Sequence, residues 1–256
     1  MKQLSIQRGI FLAAMTYQAI QKFLNPDQFI LPNGFTLVDT LNGGRFFPRI
    51  GYIAQSDKEI IVAFRGTENI YDNLMDLDIL PVKFPFVPSG GSVVRGFLSI
   101  YSRIRFRLAE ILQKLSSRKA LFITGHSLGG ALATMAALDI AINTKYNNPI
   151  VYTFASPRTG DQTFASAYNR AIKQSARIVN VLDLVPYLPP FFTHVQKRFP
   201  IFFNTSNPFR NHEMAHYFNA VCRFHPLFCR RLCTKNPVNF CPLSQNRMKK
   251  KHVKRR

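Results

Sequence analysis

Short apolar runs alternate with stretches of helical periodicity along most of this chain. Four runs lack polar alternation and are typical of strands in a sheet covered on both faces: residues 59–64, 120–123, 150–154 and 177–182. Four stretches have helical spacing: residues 6–23, 94–115, about 161–174 and the alanine-rich segment after residue 127. Edge strands are predicted at 35–40 and 51–55, on either side of the turn-forming Asn42-Gly43-Gly44. Because strands alternate with helices, we expect a three-layer α/β fold with a mainly parallel central sheet.

The length and composition favour one large globular domain. The 256 residues are 46% apolar, which is enough for a substantial core. We assign residues 1–245 to this domain and residues 246–256 to a basic, disordered tail. The segment 68–92 is rich in Pro, Gly and aromatic residues, and we interpret it as a surface crossing with at most short helices.

The longest apolar stretch begins at Gly9 and is too short to span a bilayer, because Thr16 and Gln18 interrupt it. Lys2 and Arg8 give this end a faint likeness to a secretory signal, but no small-x-small cleavage site follows. We therefore predict an amphipathic first helix and no transmembrane helix. A cytoplasmic location is the expectation, with secretion as the alternative.

Positive charge is concentrated in the last quarter of the chain. Residues 193–256 contain 14 Lys and Arg and one acid, so they carry +13 of the net charge of +21. The final run, 247–256, reads RMKKKHVKRR and is expected to stay unstructured because like charges repel. It is either a solubilising end or a contact for anionic lipid head groups or nucleic acid. We favour a peripheral membrane contact over nucleic acid, because no nucleic-acid module accompanies the run.

All four cysteines lie in this last quarter, at positions 222, 229, 233 and 241. Two disulfides, with three possible pairings, would suit an exported protein. Free thiols on a helical hairpin fit the sequence equally well, so the redox compartment stays open. The spacing lacks the paired Cys-x-x-Cys of a structural zinc site, although His225 is near, and we expect no metal.

The most informative segment is FITGHSLGGA at 122–131. Its Gly-x-Ser-x-Gly pattern, centred on Ser127, lies between a predicted buried strand and a predicted helix, the context of a nucleophile elbow. Gly125 and Gly129 are required because a Cβ at either position would collide with neighbouring backbone. The turn is expected to push the Ser127 hydroxyl into the open, at the positive end of the following helix.

A serine hydroxyl needs a base, and the base needs an orienting acid. For this kind of fold the order along the chain is nucleophile, acid, histidine. Among the acids after Ser127, Asp139 lies in the middle of a predicted helix and Asp161 is placed as a helix N-cap. Asp183 is our candidate acid because it follows a strand and precedes a loop, where catalytic groups of open α/β sheets collect. Our candidate base is His212, which lies at a loop-to-helix boundary, with His216 and His194 as the alternatives.

A developing oxyanion requires at least two donors. The backbone N–H of Leu128 is one candidate because it opens the helix after the serine. Thr67, directly after the buried strand 59–64, is the second, through its N–H and its hydroxyl. The alternative for Thr67 and its neighbour Arg65 is ordinary capping of a strand end.

Taken together, these residues resemble the class 3 lipases, the fungal-type lipase family of α/β-hydrolases. The resemblance runs from about residue 30 to about residue 220 and is carried by IVAFRGTE at 61–68, FITGHSLGGALA at 122–133, YTFASPRTGD at 152–161 and NHEMAHYF at 211–218. It implies an α/β-hydrolase fold without cofactor, and a lid just after Thr67. It also implies that Ser127 is the nucleophile, Asp183 the acid and His212 the base, with Thr67 and Leu128 as oxyanion donors. Asn73-Leu74 and Arg95 depart from the residues frequent in the family, which leaves the substrate preference open.

The function that follows is hydrolysis of carboxylic esters of acylglycerols through an acyl-enzyme on Ser127. A phospholipase or an acyltransferase acting on anionic membranes would use the same site. A noncatalytic lipid-binding protein on a lipase scaffold is the alternative from another class. Phenylalanines and prolines in 84–88 and 188–208 form either part of the core, which we favour, or an apolar groove and rim.

Overall fold

The computed structural model describes residues 4–67, 78–195 and 197–242. Seven strands of these residues form one sheet in the order β1-β2-β3-β6-β7-β8-β9. They are β1 (Thr36–Leu41), β2 (Gly51–Gln55), β3 (Glu59–Phe64), β6 (Ala120–His126), β7 (Ile150–Phe154), β8 (Gln174–Asn180) and β9 (Arg198–Ile201). The pairs from β3 to β9 are parallel, and β1 and β2 are antiparallel, so the expected mainly parallel sheet is confirmed.

Helices cover both faces of the sheet. They are α1 (Ile6–Leu24), α2 (Arg95–Lys114), α3 (Leu128–Asn143), α4 (Gln162–Ala171), α5 (Met214–Cys222) and α6 (Pro226–Lys235). Strand β3 explains the layering, because Ile60 and Val62 pack into a core with α2, α3 and α4, while Ile61 packs into a second core with α1, α5 and α6. Both faces of β3 are therefore buried, as its unbroken apolar run predicts. The three-layer α/β fold is confirmed.

The element boundaries differ from the sequence expectation on one side of the sheet. Helix α4 ends at Ala171, and β8 begins at Gln174 instead of residue 177. Gln174 and Ser175 are polar, yet they pair with the first residues of β7, so the strand partner and not the local pattern sets this boundary. The four-residue strand β9 has no apolar run of its own beyond Phe199 and Ile201 and was not predicted.

The segment after residue 67 also differs from the expectation. Residues 68–77 lie outside the described part of the chain, and the expected lid falls on them. Beyond them the structure has a two-stranded antiparallel sheet, β4 (Pro81–Lys83) and β5 (Ser92–Val94), in a segment for which we expected a surface crossing with at most short helices. Phe84 and Val87 between these strands are buried against the core, as we favoured for this segment.

Two disulfides close the C-terminal part of the fold. Cys222 is joined to Cys229 and Cys233 to Cys241, which ties α5 to α6 and α6 to the chain that follows. The free-thiol alternative is thereby excluded for this structure. The basic run 247–256 lies outside the described residues, and the division into a domain and a tail stays a prediction. Among the helices that are described, none combines the length and the apolar character needed to cross a bilayer.

Candidate active site

Ser127 stands in the turn between β6 and α3. Its backbone has φ 57° and ψ −127°, a conformation that a residue with a Cβ rarely adopts. Its N–H donates to the carbonyl of Phe154 at 3.0 Å, which ties the turn to the neighbouring strand β7. The strand–turn–helix context of a nucleophile elbow is therefore present.

The two glycines beside Ser127 are required by close backbone contacts. A Cβ on Gly125 would lie 2.1 Å from the carbonyl oxygen of Gly129. A Cβ on Gly129 would lie 2.5 Å from the carbonyl oxygens of both Phe64 and Arg65. Helix α3 therefore approaches the end of β3 more closely than any other residue type at 129 allows.

The Ser127 hydroxyl is not in the open. The residue has no exposed surface, so the expectation of an exposed hydroxyl is wrong. One cause is the chain that leaves β3, because Gly66 lies so close that a Cβ on it would be 2.9 Å from the Ser127 Cβ.

Asp183 and His212 are 29 residues apart in the chain but are in contact in the structure. Asp183 lies three residues after β8, and His212 ends a short 3-10 helix (Arg210–His212) before α5. His212 Nδ1 donates to Asp183 Oδ2 at 2.8 Å, and both side chains are buried. Because Nδ1 carries the proton of the neutral ring, His212 Nε2 is left as an acceptor.

Three buried polar atoms of the candidate site lack a hydrogen-bond partner. Within the described ranges, four such side-chain atoms exist, and three are Ser127 Oγ, His212 Nε2 and Thr67 Oγ1. Buried polar atoms are normally satisfied, so their concentration here marks a place where a reacting group would bind. Ser127 Oγ and His212 Nε2 do not bond to each other in this structure, and such bonds often tighten only with substrate.

Two side chains that the sequence did not single out support the acid. The hydroxyl of Tyr217, in α5, donates to Asp183 Oδ2 at 2.7 Å and accepts from the N–H of Asn180 at 2.9 Å. Burial, and then the charge of Asp183, raises the pKa of Tyr217 well above its ordinary value. The other carboxylate oxygen, Oδ1, accepts from the Val185 N–H at 3.0 Å. No local pattern predicts this contact, because Tyr217 and Asp183 are 34 residues apart in the chain.

His126 supports the backbone of the candidate base. Its Nε2 donates to the carbonyl of His212 at 2.7 Å. The two imidazole rings lie 4.6 Å apart between centroids. Burial lowers the pKa of His126 well below its ordinary value, so the ring is neutral at neutral pH and its Nε2 carries the proton.

The candidate oxyanion donors flank the elbow. Leu128 is the first residue of α3, so its N–H has no carbonyl one turn earlier to bond. Thr67 is the last described residue after β3, and its unsatisfied Oγ1 is available as a further donor. Arg65 has a structural role, because its buried guanidinium donates to the carbonyls of Pro48, Arg49 and Gly66.

The other sequence candidates lie in different contacts. His216 is 3.3 Å from Glu213, and His194 Nε2 donates to the carbonyl of Pro186. Asp139, in α3, accepts from Tyr101 and Arg105, and Asp161 caps α4 by accepting from the Phe164 N–H. Neither histidine bonds Asp183. The geometry therefore favours His212 over both alternatives, although its role stays a prediction.

Comparison with known proteins finds lipases and a phospholipase as relatives of this chain. The chain is 38% identical to a lipase of Rhizomucor miehei over 141 residues, which cover 53% of this chain and 39% of that protein. It is 35% identical to phospholipase A1-II 3 of Oryza sativa subsp. japonica over 205 residues, covering 64% of this chain and 49% of the relative. It is also 30% identical over 166 residues to the secreted mono- and diacylglycerol lipase MDL3 of Malassezia globosa, covering 60% and 55%. The matches thus span about half the length of these relatives.

The fold comparison points the same way. The native propeptide complex of the Rhizomucor miehei lipase superposes with a TM-score of 0.67 at 27% identity, covering 75% of this chain and 67% of the other. The family model described as lipase (class 3) matches residues 61–193, which is more than half of the chain and includes Ser127 and Asp183. The chain belongs to the class 3 lipase family.

Proposed function

We propose that this protein is a serine ester hydrolase that cleaves carboxylic esters of acylglycerols through an acyl-enzyme on Ser127. The proposal is carried by the buried 2.8 Å hydrogen bond between Asp183 and His212, together with an elbow serine whose hydroxyl is unsatisfied and whose neighbour His126 bonds the His212 carbonyl. That arrangement leaves His212 Nε2 as a base with no partner of its own among the described residues. A structural role for all three side chains would not require the strained backbone at Ser127.

The reaction has two halves. His212 Nε2 removes the Ser127 proton while Oγ attacks the ester carbonyl, and the resulting oxyanion is held by the Leu128 N–H and by Thr67. The alcohol leaves with the proton from His212, which produces the acyl-enzyme. His212 then removes a proton from water, the hydroxide oxygen attacks the acyl carbon, and the fatty acid leaves as Ser127 regains its proton.

An apolar rim supports a lipid substrate. Leu184, just after Asp183, is 56% exposed, and Phe191 in the same loop is 91% exposed. Phe202, just after β9, is 65% exposed. Apolar side chains exposed together near the carboxyl ends of β8 and β9 are typical of a surface that meets lipid. Phe192 and Phe203 beside them are buried, so the 188–208 segment divides between rim and core.

A phospholipase is the second candidate. It is favoured by the relative in Oryza sativa, whose printed name is phospholipase A1-II 3 and whose similarity extends over 64% of this chain. Acyl transfer to an alcohol would use the same acyl-enzyme, with the alcohol in place of water. The noncatalytic alternative does not explain why the elbow, the acid and the base occur together, because lipid binding alone requires none of them.

Export is the location that the disulfides support. Disulfides form and persist in oxidising compartments, and this chain has Cys222–Cys229 and Cys233–Cys241. The Malassezia globosa relative is named as secreted. The expectation of a cytoplasmic location therefore has no support, and we propose that the protein acts outside the cytosol.

The proposed function is tested by hydrolysis of short- and long-chain p-nitrophenyl esters. We expect Ser127→Ala to lower kcat by roughly 10⁴-fold or more, because removal of a triad member leaves only the oxyanion donors and binding. Ser175→Ala is the matched control, since Ser175 is a buried serine in β8 bonded to Tyr168. Full activity in Ser127→Ala, or a fluorophosphonate that labels another residue, would remove Ser127 from the mechanism. Absence of any label would favour the noncatalytic alternative.

A further inference from the structure

Three arginines come together around the loop that follows Asp183, and we call Arg158, Arg177 and Arg198 the arginine cluster. Arg177 in β8 and Arg198 in β9 are register partners on adjacent strands. The Arg158 N–H donates to the carbonyl of Leu188 at 2.7 Å, which brings the third arginine to the same loop. Burial, and then the charges of Arg198 and Arg158, lowers the pKa of Arg177 to about 10. The three charges are therefore close enough to repel one another.

Arg158 and Arg198 each have guanidinium N–H donors that no described residue uses. A guanidinium carries five N–H donors on three nitrogens. Among the described residues, Arg158 uses Nη1, towards the carbonyls of Pro189 and Pro190, and Arg198 uses Nη2, towards the Tyr187 hydroxyl. Two nitrogens of each group remain for a ligand. Planar donor forks of this kind bind phosphate oxygens in pairs.

The nearby acids are committed elsewhere. Between residues 156 and 210 the sequence contains only Asp161 and Asp183. The Asp161 oxygens accept from the backbone of Phe164 and Ser92, and Asp183 is bonded as described above. None of the ion pairs found among the described residues includes Arg158 or Arg198. An anion from outside the chain would relieve the repulsion within the cluster.

The positive potential extends along the loop to His194. Burial, and then the charge of Arg177, lowers the pKa of His194 to about 3, and Arg158 and Arg198 act in the same direction. The ring is therefore neutral, and its Nε2 proton is used by the carbonyl of Pro186. His194 holds the loop in shape, while the arginines carry the charge.

The same loop exposes apolar side chains beside the arginines. Phe191 is 91% exposed, and Tyr187, over whose ring Arg198 lies at 6.0 Å, is 41% exposed. Aromatic and basic side chains exposed side by side are typical of surfaces that enter the head-group region of a bilayer. A soluble phosphate ligand would have no use for the exposed phenylalanine.

We propose that the arginine cluster binds the phosphate group of an anionic phospholipid. All three arginines contact the loop that joins Asp183 to β9, so a lipid held by them is anchored to the loop that begins at the candidate acid. The binding does not depend on catalysis, and only the link to hydrolysis rests on the proposed function.

Vesicle binding tests the site without chemistry. Full-length Ser127→Ala protein is sedimented with phosphatidylcholine vesicles that contain or lack phosphatidylglycerol. In this background we expect Arg158→Gln and Arg198→Gln each to weaken binding to the anionic vesicles about tenfold, the value of one charge-assisted hydrogen bond. Arg198→Lys keeps the charge but loses the planar pair of donors. Its binding to anionic vesicles should therefore lie between that of the Ser127→Ala parent and that of Arg198→Gln. The basic run 247–256 is present in every variant and contributes equally.

Arg118→Gln is the matched control. Arg118 is exposed and precedes β6, so it lies at the opposite, amino-terminal edge of the sheet. Its replacement by Gln removes the same single charge as Arg198→Gln. We expect it to change vesicle binding by less than about twofold. An equal loss in Arg118→Gln and Arg198→Gln would show that only overall charge matters and would overturn the proposal.

Inorganic phosphate tests whether the arginine cluster binds a soluble phosphate ligand instead of the phosphate of a lipid. A phosphate-dependent rise in Tm that Arg198→Gln abolishes, with vesicle binding unchanged, would assign the cluster to a soluble ligand and overturn the lipid proposal. In protein that keeps Ser127, Arg198→Gln should lower the ratio of phosphatidylglycerol hydrolysis to tributyrin hydrolysis about tenfold. If Ser127→Ala still hydrolyses ester, the proposed function fails, while vesicle binding continues to decide on the cluster.

Discussion

The Tyr217 hydroxyl donates to the same Asp183 oxygen, Oδ2, that accepts the His212 Nδ1 proton. Tyr217 thereby holds the carboxylate in the orientation that His212 requires, and it is itself held by the Asn180 N–H. Helix α5 thus fixes the acid that follows β8. We interpret Tyr217 as a positioning residue of the candidate triad.

Tyr217→Phe should lower kcat about tenfold, because the carboxylate loses a hydrogen bond of the charged class. KM should stay close to the wild-type value, because Tyr217 bonds the acid and has no proposed role in substrate binding. Tyr168→Phe is the control, since Tyr168 is equally buried but bonds Ser175 on the other face of the sheet. A kcat identical to that of wild type would contradict a positioning role.

Gly129→Ala should lower the free energy of unfolding by about 3 kcal/mol or more, because the new Cβ meets two backbone carbonyls at 2.5 Å and neither can move alone. Gly9→Ala is the matched control. In α1 its Cβ would have an ordinary 3.4 Å contact with Tyr152, and alanine favours the helix by about 1 kcal/mol. Urea unfolding should therefore move in opposite directions for the two variants, and equal losses would contradict the close approach of α3 to β3.

His194 should make the protein less stable in acid. Its pKa is about 3 in the folded state and 6.5 ordinarily, so below pH 6.5 the unfolded chain binds a proton that the folded chain does not. The stabilising contribution is complete above pH 6.5 and is lost as the pH falls towards about 3. His194→Gln should flatten the dependence of unfolding free energy on pH over this window. Parallel curves for the variant and wild type would show that His194 does not titrate as described.

Each disulfide should contribute about 2–3 kcal/mol, because each closes a short loop of seven or eight residues in the unfolded chain. Cys222→Ser/Cys229→Ser and Cys233→Ser/Cys241→Ser should each lower the denaturant midpoint by a comparable amount. Dithiothreitol should lower the wild-type midpoint further than that of either double variant. A midpoint that does not respond to reductant in wild type would contradict the pairing.

Local steric and periodic signals explain why much of the fold was predictable. The unbroken apolar run of β3 requires a sheet covered on both faces, and the glycines around Ser127 admit only a tight strand-to-helix turn. Asp183 could be chosen because functional groups of parallel sheets collect at strand ends. The choice of His212 depended on chain order and family resemblance, since histidine spacing alone did not separate it from His216.

The sequence by itself determined the layered α/β fold, the elbow at Ser127 and membership of the lipase family, because local apolar periodicity, turn glycines and short motifs carry these signals. Only the tertiary structure decided the start of β8, the pairing of the cysteines, the burial of Ser127 and the Tyr217–Asp183 contact. It also brought Arg158, Arg177 and Arg198 to one loop. Each of these depends on which distant segments pack together, and the free energy of that packing is absent from any local pattern.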